Sequence, residues 1–112
     1  MGTRTEKKMD EVFHALADTT RRKILRMIAE REYTVTELAH PFDMSLNAIS
    51  KHLKVLERAG LLNRTVDGRV HRCAMNHEPL HKAADEIEYY KKFWESRLDD
   101  LEKFLHEAAQ KK

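Results

Sequence analysis

A helix that begins at a capping serine, Ser45, and ends at Gly60 runs directly into a tight hairpin at Asp67-Gly68. The Ser45 hydroxyl can accept from the free N–H groups of the first turn, and Gly60 suits the positive φ of a C′ position. Between them Leu46, Ile49, Leu53 and Leu56 step three, four and three residues, an apolar stripe for packing inward. Leu61 to Val66 and Val70 to Met75 then read as two strands. Asp-Gly is among the strongest two-residue hairpin signals, because both positions tolerate φ > 0.

The rest of the chain reads as helix. Helix starts at about Glu6, with Val12, Phe13, Leu16 and Ala17 on one face. Asp18 caps a second helix carrying Ile24, Leu25, Ile28 and Ala29. Tyr33 to Val35 is brief and β-prone. Thr36 is expected to cap a short helix through His40, with Glu37 too early for a capping box and Pro41 ending it. A long helix over 78–109 closes the chain, its stripe running Ala83, Ile87, Tyr90, Trp94, Leu98, Leu101, Leu105, Ala108. The expected fold is mainly α with a small β-hairpin, in the order α-α-α-α-β-β-α. A single winged helix-turn-helix domain is expected over 1–112, with the helix-turn-helix at 36–60, the wing hairpin at 61–75 and a C-terminal helix at 78–109 expected to serve dimerisation.

With 112 residues there is room for one domain and one modest core. Three Gly and two Pro are few for an all-β chain. From Asp18 to Arg72 eleven Lys and Arg oppose seven acids, whereas from His77 onward seven bases oppose nine. A basic middle beside an acidic tail points to a polyanionic partner for the middle alone. No secretory signal and no run of 18 apolar residues is visible, and Cys73 is the single cysteine. The cytoplasm is the expected compartment, with no membrane partner.

A short helix, a turn, a helix with a polar outer face and a basic hairpin suit a DNA duplex. The major groove admits one α-helix, whose N-terminal residues reach base edges. With the apolar stripe inward, Ser45, Asn47, Ser50, Lys51 and Lys54 are left outward or flanking. Asn and Ser can bond base edges, and lysines can meet phosphate or guanine. Arg64, Arg69, His71 and Arg72 cluster about the turn, where a cation can enter the minor groove or grip the backbone. Each part alone also fits a solvated helix face or an edge strand blunted by charge. Their order is more specific than either.

Ala17-Asp18-Thr19-Thr20-Arg21-Arg22-Lys23-Ile24-Leu25, Thr36-Glu37-Leu38-Ala39 and the run Ser45 to Leu62 resemble the ArsR/SmtB family of bacterial regulators. Ser50-Lys51-His52-Leu53 is the most telling piece, and Asp67-Gly68-Arg69 continues the match. Thr19 stands where many members have proline, a small change at a helix start. The resemblance implies a dimeric winged helix, usually a repressor that leaves its operator when an inducer binds.

The family's usual metal-site motifs are missing. The short helix has no cysteine, and the last helix offers His81 with Asp85 and Glu102 with His106, two pairs roughly 30 Å apart at 1.5 Å per residue. No metal or other cofactor is therefore expected. Two sensor readings stay open: a non-standard metal site in an antiparallel dimer, and a Cys73 thiol activated by Arg72 and His71. Cys73 also fits a small buried residue, and His52 is a candidate for the DNA edge of its helix.

The last helix is longer than a domain of this size needs to close its core. Tyr90, Phe93, Trp94, Leu98, Leu101 and Leu105 are therefore expected to pair with Val12, Phe13, Leu16 and their symmetry mates in a homodimer. Two-fold symmetry would set two recognition helices one DNA turn apart, so the expected partner is double-stranded DNA carrying an inverted repeat. No phosphate loop, nucleophile elbow or oriented Cys–His pair suggests an enzyme. The rival is a winged helix used for protein contact without specific DNA binding.

Overall fold

Side chains that accept from their own helix's first turn set where the helices begin. The computed structural model describes residues 3–110. Thr3 and Glu6 form a reciprocal capping box, so α1 (Arg4–Leu16) starts two residues before the expected Glu6. Asp18 Oδ2 accepts from Arg21 N at 3.0 Å and opens α2 (Thr19–Glu30). Ser45 Oγ accepts from Ala48 N at 3.1 Å and opens α4 (Leu46–Arg58). Gly60, at φ +78°, ends α4 with Gly60 N donating to Glu57 O and Leu61 N to Leu56 O. That bond pair is a Schellman motif, and the buried Leu56 and Leu61 supply its hydrophobic contact.

Two local readings shift by a residue or two. The short helix α3 (Val35–Ala39) is capped by Thr34, not Thr36, and this places Glu37 three residues on, where it completes a capping box. Tyr33–Thr34 forms a short strand, β1, antiparallel to β3 (Val70–Met75), which also pairs with β2 (Leu62–Asp67). The sheet order is thus β1-β3-β2, three strands rather than two. Because Asp67 pairs with Val70, the loop residues are Gly68 and Arg69, not Asp67 and Gly68. Gly68 has φ +62°, and no described non-glycine residue has positive φ, the pattern of a type II′ hairpin.

The core gathers Ile24, Leu25 and Ile28 of α2, Leu38 of α3, Ile49, Leu53 and Leu56 of α4, and Leu61, Leu62 and Cys73 of the wing. Val12 and Ala15 close it from α1 and Ala83 from α5 (Glu78–Gln110). Ala17 and Ala29 are exposed, at the ends of the stripes that named them. Leu46, expected to pack inward, is instead 56% exposed, because the first turn of α4 stands beyond the core and burial begins only at Ile49.

Helix α5 packs on α1 and then leaves the domain. Its 33 residues span about 50 Å, and every residue from Ile87 to Gln110 is exposed. The Cα radius of gyration is accordingly 20.2 Å, against about 13 Å for a compact chain of this length.

Candidate nucleic-acid interface

The outer face of α4 is open. Asn47, Lys51 and Lys54, spaced four and three residues, lie on one side of the helix and are exposed. Among the described residues, none of the three is held by a hydrogen bond or ion pair. Ser50 is half-buried on the flank toward the wing, and the Ser45 hydroxyl is committed to its cap.

Across from that flank lies the wing. A hollow of about 350 Å³ is lined by Thr34 to Thr36, Leu46, Ser50, Arg64, Arg69, Val70 and His71. The structure therefore brings the leading turn of α4, the start of α3 and the wing tip around one space. Arg69, exposed at the tip, is the wing cation best placed to meet a backbone running between helix and wing.

The wing's other two arginines do different things. Arg64 Nη2 donates to Glu57 Oε1 of α4 at 2.7 Å, and Nη1 lies 3.4 Å from His71 Nδ1. Its side chain is only 18% exposed. Arg64 thus ties β2 to the recognition helix rather than standing free as a surface cation. Arg72 alternates with His71 and Cys73 along β3 and so projects from the opposite sheet face, away from the hollow that Arg64 and His71 line.

A clamp behind the recognition helix was not legible in the sequence. Arg21 Nε donates to Ala15 O at 2.8 Å and Nη2 to His14 O at 2.9 Å, closing the end of α1. Its Nη1 lies 3.3 Å from His52 Nδ1, which sits 3.7 Å from Asp18 Oδ2. The neighbouring Arg22 Nη1 donates to Leu16 O at 2.7 Å. His52 is therefore half-buried against α2 and positions α4 from behind, instead of lying at the DNA edge. The bond from Arg21 N holds the Asp18 carboxyl below its ordinary pKa against the opposing cost of burial, with the charges of Arg21 and His52 assisting. The only sequence signal was an arginine pair just after a helix cap.

Cys73 is fully buried, and burial raises its thiol pKa. A sensor thiol needs access and a depressed pKa, so the activated reading fails despite nearby Arg64. His81, Asp85, Glu102 and His106 are exposed along α5, and His106 Nε2 lies 3.1 Å from Gln110 Nε2. Among the described residues of one chain, no three His, Cys, Asp or Glu side chains gather to hold a metal ion.

The residues assigned to a partner copy divide. Val12 is buried within its own chain and has almost no surface to offer, while Phe13 and Leu16 are half-buried against the core. Tyr90, Phe93, Trp94, Leu98, Leu101 and Leu105 are all exposed on α5.

A helix-turn-helix domain model matches residues 16–65. YuzN of Bacillus subtilis (strain 168), named an uncharacterized HTH-type transcriptional regulator, is 44% identical over 78 residues, covering 63% of this chain and 85% of that protein. The transcriptional repressor SdpR of the same strain is 38% identical over 55 residues, 49% of this chain and 61% of SdpR. A crystal structure of an ArsR family transcriptional regulator superposes with a TM-score of 0.77 at 38% identity, covering 86% of this chain and 98% of that one.

Proposed function

The chain belongs to the ArsR family of winged helix-turn-helix transcriptional regulators, and from that premise we propose that it is a sequence-specific DNA-binding repressor acting as a homodimer on an inverted-repeat operator. The observation that carries this reading is the joint exposure of Asn47, Lys51 and Lys54 on α4 and of Arg69 at the wing tip, which shares a hollow with Leu46 and Ser50 of the same helix. Asn47 supplies base-edge hydrogen bonds, the lysines meet phosphate or guanine, and Arg69 grips the backbone or enters the minor groove. The protruding apolar face of α5, together with Phe13 and Leu16, pairs two copies so that their α4 helices enter successive major grooves about 34 Å apart. Repression is steric: a bound dimer blocks the promoter. The cytoplasm is its place of action, and no helix among the described residues is long and apolar enough to cross a membrane.

The test is titration of the purified protein with duplex from the region upstream of its own gene, with random duplex as competitor, at 50 and 200 mM salt. Lys51, Lys54 and Arg69 from two copies give six phosphate contacts, so affinity should fall about 10³-fold across that range. Equal affinity for specific and random duplex, from a folded dimer, would refute the proposal.

A further inference from the structure

Leu46 is the first residue of α4 and more than half exposed, and Met44, two residues earlier, is exposed as well. An apolar pair thus leads a recognition helix whose other outward residues are Asn47, Lys51 and Lys54. No described element of its own chain buries Leu46. It stands at the rim of the hollow shared with Ser50 one turn on and with Arg69 and Val70 of the wing, and neither α1 nor α5 lines that hollow. The dimer surface therefore does not account for it.

We infer that Leu46 reads the 5-methyl group of a thymine in the major groove, an inference resting on the DNA-binding function proposed above. N-terminal residues of a recognition helix are the ones that reach base edges. A leucine can neither donate to a base nor neutralise a phosphate. The feature of the major-groove floor that rewards an apolar side chain is the thymine methyl, which distinguishes T·A from every other pair presented there. Asn47 follows directly, and its carboxamide suits the N6 and N7 of an adenine. Leu46 and Asn47 together thus specify a thymine close to an adenine in each half-site, with Leu46 acting through methyl burial and Asn47 through hydrogen bonds.

The test uses duplexes selected from a random pool by the wild-type protein, with each thymine of a half-site replaced in turn by deoxyuridine. That change removes one methyl and leaves base pairing intact. At one position the wild type should lose about fourfold in affinity, and about fifteenfold when both half-sites are changed, the equivalent of one buried methyl each. Leu46→Ala should bind the thymine duplex more weakly and show no thymine–uracil difference. Alanine is the better helix former at an exposed site, so its melting temperature should not fall. Leu46→Gln, polar and of similar reach, should lose the difference too. A wild type indifferent to every replacement, or variants that keep the full difference, overturns the inference while leaving DNA binding standing. Failure to select any preferred duplex overturns both.

Discussion

Replacing Trp94 by alanine tests whether the projecting half of α5 is the surface that joins two copies. Trp94 lies on the stripe that starts at Ala83 in the core and continues through Ile87 and Tyr90, and it is 61% exposed. A tryptophan side chain presents up to about 250 Å², so roughly 150 Å² per copy is open to burial by a partner. Two-fold symmetry counts the residue twice, and alanine would retain about a quarter of that area. At about 25 cal/mol/Å² the difference corresponds to no more than about 6 kcal/mol. Interfaces realise only part of such an area, because ordering and imperfect packing offset it. The expected loss is therefore about 2–4 kcal/mol, a weakening of dimerisation by roughly 30- to 1,000-fold. Sedimentation equilibrium over a wide concentration range reads this directly, with circular dichroism to show that the helices remain. A dimer constant within threefold of wild type would mean that the exposed stripe serves something other than self-association.

Lys54→Ala should weaken binding to all duplexes and flatten the salt dependence by about one unit of slope for each phosphate no longer neutralised, whereas Asn47→Ala should lose discrimination at particular base pairs. Competition assays with single-base variants separate the two, and a uniform effect of Asn47→Ala would make it a positioning residue. Arg64→Ala leaves the Glu57 carboxylate without its 2.7 Å partner and unties the wing from α4, so both melting temperature and affinity for every duplex should fall; unchanged melting would refute the strut. Asp18→Ala removes the cap of α2 at a cost of about 1 kcal/mol, read by urea denaturation. Because the folded state holds the Asp18 pKa below its ordinary value, its contribution is complete above the ordinary carboxylate range and is lost as pH falls through the lower folded value. The stability difference between wild type and Asp18→Ala should therefore shrink on acidification, and a difference constant down to pH 2 would contradict this assignment. Cys73, buried with a raised thiol pKa, should react with a thiol reagent only as the wing opens, and an oxidant should leave DNA binding intact. Fast labelling of the native protein would show the thiol to be accessible after all.

Features carried by neighbouring residues were readable in the sequence. Asp18 and Ser45 cap their helices and Gly60 closes α4, since each acts through bonds that span three to five positions. The exposed side of α4 followed from its helical period, which is why Asn47, Lys51 and Lys54 were identifiable as one face. The cap of α3 was not. Thr34 and Thr36 are equally able caps, and the choice falls to Thr34 because Tyr33 pairs with Cys73 forty positions away and holds the chain extended there. The turn was ambiguous for a related reason. A loop at Asp67-Gly68 and one at Gly68-Arg69 both keep Leu62 and Arg64 on the core face, so strand alternation cannot choose between them. The packed register, with Arg64 opposite Cys73 and its guanidinium on Glu57, selects the second.

The sequence by itself determined the order of the five helices and the hairpin and the phase of each helical stripe, because propensity, capping and periodicity act over a few residues. Only the tertiary structure decided where each stripe stops being covered. In α4 the apolar repeat runs one step past the core and leaves Leu46 largely in solvent, and in α5 it runs from the buried Ala83 out along residues 87–110, which no described element covers. A period carries no record of where the neighbouring elements end, and burial depends on that alone.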